Sequence, residues 1–291
     1  MPSSTKIPLG YIDLPSGPKA IYPMNDIFLN YIFEDRAYWE ALRQILNIII
    51  NAYRQTNPDT QLQPVEGTIE VKTQYKHLLA DSKVTRDQDI KMTEEEGAVT
   101  YIEFQNKATT NPPITIRSVE YFGLGIGHNK GKTANQIWLL AEDVNAVLLN
   151  KTYARYILKD EQTGHTHPQT SGILYVSLNK LSQEKGKAGE LASYLLGKPG
   201  TPVDENTKNI ITAIDAGFNK FKQDKDVVSV ISFQDRWYDE GKVEGKVEGK
   251  AEGEAIGKAK GLNRAIELIE LIRRGLTLDE AQRLLEEEAT A

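Results

Sequence analysis

GAVTYIEFQNK, residues 97–107, sets a carboxylate and an amide two positions apart in an otherwise apolar run. In an extended strand successive side chains point to opposite faces, so Tyr101, Glu103 and Gln105 share one face while Ile102 and Phe104 share the other. Two polar groups then converge on one surface, which is either a solvated sheet face or a site. Upstream stand two more strand patterns, TIEVKTQY (68–75) and RDQDIKM (86–92), and the charged turn TEEEG joins the second of them to AVTYIEFQ (98–105). The three read as a meander. Across that tight turn Asp89, 14 residues before Glu103, is placed to face it.

Helical and strand patterns alternate from about residue 23 to 238, as in an α/β unit. NDIFLNYIFEDRAYWEALRQILNIIINAY carries apolar residues at helical spacing behind Asn25 or Asp26, either of which suits an N-cap, and predicts one or two helices packed on the sheet. A helix is expected around Arg117 to Phe122, strands at VNAVLLN (144–150) and GILYVSLN (172–179), and helices over 187–196 and 206–223. Residues 1–22, rich in Pro, Ser and Gly, read as an irregular arm.

The composition bounds the function. A chain of 291 residues with 40% hydrophobic residues can bury a normal core, and zero cysteines leave no disulfide framework or thiolate metal site, which suits a reducing, cytoplasmic setting. No signal peptide is expected from the Pro- and Gly-broken N-terminus, and no membrane span, since no stretch offers about 18 uncharged apolar residues. The formal net charge of -6, from 35 Lys and Arg against 41 Asp and Glu, excludes the overall basic excess of a dedicated nucleic-acid binder. Any such contact is a local patch.

Residues 239–262 form a repeat with glycine at 241, 245, 249, 253, 257 and 261. A period of four against 3.6 residues per turn rotates the glycine stripe by roughly 40° per repeat, and each Gly costs a helix about 1 kcal/mol relative to Ala. A semi-flexible spacer and close Gly-mediated helix pairing between chains both fit. Residues 263–291 then read as a helical hairpin for docking or homo-oligomerisation, with Gly275 at a C′ position and a Thr277/Glu280 capping box.

Brought together, Asp89, Glu103 and the carbonyl between Glu103 and Gln105 form an all-oxygen set that suits Mg²⁺ or Mn²⁺, and spacing alone leaves this and a solvated sheet face both open. The order D-I-F-L-N-Y-I-F, R-x-x-D-I-K, Y-I-E-F-Q, R-S-V-E-Y and then a Glu-Gly-Lys repeat before a helical hairpin resembles the Rpn-like recombination-promoting nucleases, a transposase-labelled branch of the PD-(D/E)XK superfamily, over nearly the whole chain. The resemblance implies a restriction-endonuclease-like α/β core, a mixed central sheet flanked by helices, over residues 23–238, with a C-terminal helical extension. It implies a metal-dependent DNA endonuclease linked to recombination or mobile elements. Asp89 and Glu103 match the metal-binding carboxylates, Gln105 the third catalytic position, and the Phe104 carbonyl a further metal ligand. Arg117 and Tyr121 match a following R-x-x-x-Y, in which Arg117 contacts the DNA phosphate or anchors its helix to a carboxylate. The alternative is a nuclease-fold DNA-binding or assembly module, a transposition accessory that does not cut.

Two departures bear on the chemistry. Asn30 stands where the family's first helix often has lysine, and Asp26 reads as a helix cap rather than a ligand. Gln105 replaces the superfamily's lysine, so charge stabilisation rests more heavily on metal, with Lys107, Lys130 and Lys132 as further cations for the cleft. FGLGIGHNKGKT is not a phosphate loop, because the position five before Gly131 is Ile126. His165 and His167 read as polar loop residues.

Overall fold

The computed structural model describes residues 6–73, 89–95, 97–108, 110, 113–128, 133–165, 171–229 and 231–232. The chain divides into two units, Met1–Val230 and Ile231–Ala291, and the sheets and their helices belong to the first. The glycine repeat, the hairpin expected over residues 263–291, Lys130, Lys132 and His167 lie outside the described residues.

The N-terminal stretch is not an irregular arm. It holds an antiparallel hairpin of β1 (Gly10–Leu14) and β2 (Gly17–Ile21), closed by Pro15 and Ser16 with Gly17 at φ 117°. The prolines and glycines mark a tight turn, while Ile12, Leu14 and Ile21 alternate inward and are buried. Ile7 N–H donates to the Gly197 carbonyl, and a Cβ on Gly10 would strike the Phe218 ring, so the hairpin is seated on the C-terminal helices.

The segment behind Asn25 makes two helices, α1 (Asp26–Glu34) and α2 (Trp39–Thr56), joined by one 3-10 turn. Asn25 is the cap, accepting the Phe28 N–H. The meander follows as expected: β3 (Ile69–Thr73), β4 (Ile90–Glu94) and β5 (Val99–Gln105), each antiparallel to the last. Next come α3 (Ile114–His128) and β6 (Ala134–Leu140), parallel to β5 as a helical crossover requires. VNAVLLN is not a strand. It forms the short helix α4 (Asn145–Leu148), stopped by left-handed Leu149 and Asn150, and β7 (Tyr153–Ile157) runs on to β8 (Gly172–Ser177). The short α5 (Leu178–Leu181), then α6 (Lys187–Leu195) and α7 (Glu205–Phe221), complete the unit.

The result is a mixed six-stranded sheet in the order β3-β4-β5-β6-β8-β7 with helices on both faces. Register aligns Ile90, Ile102, Ile137 and Leu174 across four strands, and all are buried. Tyr153 shares this face and meets Tyr53 of α2 edge-on at 5.7 Å, while α6 and α7 pack against α2. Phe28 of α1 meets Phe218 and Phe221 of α7 edge-on. The opposite face carries the rows Tyr101–Gln136–Ile173 and Glu103–Trp138–Tyr175. Ile114 and Tyr121 of α3 cover Trp138, Leu140, Ile173 and Tyr175 there. Among the described residues no helix is long and apolar enough to cross a membrane.

Ile21 has no exposed surface, so Ile21→Ala should cost about 2–4 kcal/mol in urea unfolding. A loose arm would tolerate the change within about 0.5 kcal/mol.

Candidate active site: a buried carboxylate pair at the end of β5

The β4–β5 ladder ends at the pair Ile90–Ile102, and beyond it two side chains take over the backbone pairing. Asp89 N–H donates to Glu103 Oε1 at 3.1 Å, and Phe104 N–H donates to Asp89 Oδ2 at 3.1 Å. Each carboxylate thus holds the main chain of the opposite strand. Glu103 is only 3% exposed, so the solvated-face reading of YIEFQ does not hold for it.

Four groups singled out in the sequence come together here. Arg117, in the first turn of α3, donates to Gln105 Oε1 at 3.1 Å and lies 3.6 Å from Glu103 Oε2. Its guanidinium also sits 5.6 Å from the Tyr121 ring centre and 5.5 Å from that of Trp138. Tyr175 O–H donates to Ser118 Oγ at 2.5 Å, tying the same turn of α3 to β8. Gln105 Nε2 donates to the Lys107 carbonyl at 3.0 Å, which fixes the amide's orientation from its other end. Lys107 itself is exposed beyond the strand end.

Burial dominates the electrostatics. It lifts the Asp89 carboxyl to about 6, against the Phe104 N–H and with help from the charge of Asp26. Glu103 is pushed well above the carboxylate range, first by burial and then by Asp89, with Arg117 opposing. Two like charges in one dry pocket favour retention of a proton at neutral pH.

Asp26 does not serve as the cap expected of it. Asn25 fills that role, and the Asp26 carboxylate is close enough to raise Asp89. The Asn106 amide donates to the Met24 carbonyl at 2.6 Å, drawing the start of α1 to the end of β5. The sequence cue is the doubled Asn25-Asp26, since one cap needs only one of them.

Among the described residues no group of three or more His, Asp or Glu side chains is close enough together to hold a metal ion. The pair alone suits Mg²⁺, which typically takes one or two carboxylates and keeps waters or substrate phosphate for its other positions. A bound cation would offset the burial that lifts both carboxyls and the charge of Asp89 that adds to it at Glu103. Exposed His165 takes no part in the pair. No protein-family model, curated protein or solved structure matches the chain.

Because folding raises the Asp89 pKa, its favourable contribution is fullest below the ordinary carboxylate pKa and is lost as pH rises through about 6. In metal-free buffer at pH 7.5, Asp89→Asn should therefore melt above the natural protein, by on the order of 2 kcal/mol. The two should converge near pH 4, a comparison that thermal melts across pH will make.

Proposed function

We propose that this chain is a metal-dependent DNA endonuclease that hydrolyses phosphodiester bonds. The reciprocal clamp of Asp89 and Glu103 carries the reading, since it sets two carboxylates side by side, Glu103 buried and Asp89 half-buried, where a lone sheet would have no use for them. The order of elements supports it: helices, a three-stranded antiparallel meander, a crossover helix and a parallel strand, with one acid just ahead of the second meander strand and the other on the third, is the layout expected of the PD-(D/E)XK core.

Asp89 and Glu103, with the Phe104 carbonyl, are the groups that would hold Mg²⁺ or Mn²⁺, and the ion supplies water activation and neutralises phosphoryl charge when bound. The chain's own residues position the rest. Arg117 fixes the Gln105 amide, whose oxygen keeps a lone pair for a proton of the attacking water. The water oxygen bonds to phosphorus as the bond to the deoxyribose oxygen breaks; the water gives its proton to solvent, and the leaving oxygen takes a proton from solvent. Trp138 and Tyr121 keep solvent from the inner side of Arg117 and strengthen its field. A role in recombination or mobile-element processes fits such an activity.

The second reading, a nuclease-fold DNA-binding or assembly module, is favoured by one feature: the neutral Gln105 is already engaged at both ends of its amide. Plasmid and linear DNA incubated with Mg²⁺, Mn²⁺ or EDTA decide between them. We expect metal-dependent cutting by the natural protein, lost by at least 100-fold, on the order of 3 kcal/mol, in Asp89→Ala and Glu103→Ala. Mg²⁺ should also raise the melting temperature of the natural protein and leave that of the double variant unchanged. DNA binding without cutting, in protein shown to bind Mg²⁺, would establish the second reading.

A further inference from the structure

Among the described residues, α3 packs over β6 and β8 on the face that carries Glu103 and reaches β5 through Arg117, and the next row outward on that face is basic. Lys72 of β3 stands directly opposite Lys91 of β4, and Lys91 directly opposite Tyr101 of β5. Tyr101 is buried, Lys91 half-buried, and the Lys72 side chain 73% exposed. The row therefore climbs from shelter into solvent. Opposite Tyr101, Lys91 shares the face of Glu103, and it stands two residues, about 7 Å along the chain, from Asp89.

Like charges directly opposite one another weaken a strand pair, and among the described residues little offsets this one. Glu70 approaches Lys72 at 3.4 Å, but both side chains are largely exposed, where such a pair contributes little. Among the described residues no carboxylate lies within ion-pair distance of Lys91, whose ammonium rests 5.8 Å from the Tyr101 ring centre. A charged edge strand guards against sheet-to-sheet association, which accounts for Lys72. It does not account for Lys91, which is on an inner strand.

We propose that Lys72 and Lys91 form a phosphate track, on which the backbone of a nucleic acid lies across β3 and β4 and leads its next phosphate to Asp89 and Glu103. The track rests on the DNA-cleaving reading of the acid pair and adds the side from which the strand enters. A polyanion supplies a counter-charge that the described residues do not, and does so one row from the carboxylates. Of the cations considered from sequence, Arg117 is held by Glu103 and Gln105, Lys107 lies past the strand end, and Lys130 and Lys132 lie outside the described residues. Lys72 and Lys91 are the pair already set on the sheet face.

The test is binding of labelled duplex and single-stranded DNA in EDTA across a range of salt, with cutting measured separately in Mg²⁺. In the variant Lys72→Gln/Lys91→Gln, the slope of log affinity against log salt should fall by about 1.8 for duplex or about 1.4 for a single strand, the loss of two phosphate contacts. The melting temperature should stay level or rise, because removing the repulsion does not harm the fold, and Lys72→Arg/Lys91→Arg should restore the slope. Natural affinity and slope in the Gln variant would overturn the track, even with cutting that depends on Asp89 and Glu103. A reduced slope without any cutting would keep the track and remove the nuclease. Absence of DNA binding by the natural protein at every salt concentration would overturn the track.

Discussion

A carboxylate buried in a sheet face is costly unless its surroundings are arranged around it, and Glu103 sets that demand here. The Asp89 N–H, the Arg117 guanidinium and the Asp89 carboxyl all converge on it. Each of these ties down a different element: Asp89 fixes where β4 begins, Arg117 the seating of α3, and Trp138, paired to Glu103 in register, the approach of β6. A slip of one residue in β5 would carry Glu103 to the apolar face beside Ile137 and Leu174. The register of the central sheet is thus enforced by a polar group as much as by the apolar rows.

The aromatic layer beneath Arg117 extends the same demand. Trp138 is fully buried, its indole N–H donates to Gln136 Oε1 at 3.2 Å, and it stacks against Tyr121 at 6.2 Å. This is a flat, rigid floor. Arg117 lies over it and keeps its donors for Glu103 and Gln105, an arrangement that a flexible lysine would fill poorly.

Much of the site could be read from the chain because it lies in a local meander. Period-2 alternation put Glu103 and Gln105 on one face, and a short turn brought Asp89 opposite. The DNA-cleaving role and the metal are proposals that the sequence and the site jointly support. VNAVLLN is a short apolar run, which periodicity cannot assign, and the tertiary fold made it a helical turn under the α3 cluster rather than a strand. In the N-terminal stretch the turn residues outweighed the alternation of Ile12 and Leu14. The proximity of Asp26 to Asp89 spans the chain from α1 to β4, and no local pattern encodes it.

Helix α3 begins just past the carboxyl end of β5, as a crossover to a parallel neighbour obliges it to do. Its first turn, from Ile114, holds no acidic residue, and Arg117 stands where acids are usually favoured. The helix therefore presents the positive end of its macrodipole, equivalent to about half an elementary charge, with no anion of its own in that turn to absorb it. The peptide dipoles of α3 add to the guanidinium, so part of the field at the pair comes from main chain that no single side-chain substitution removes.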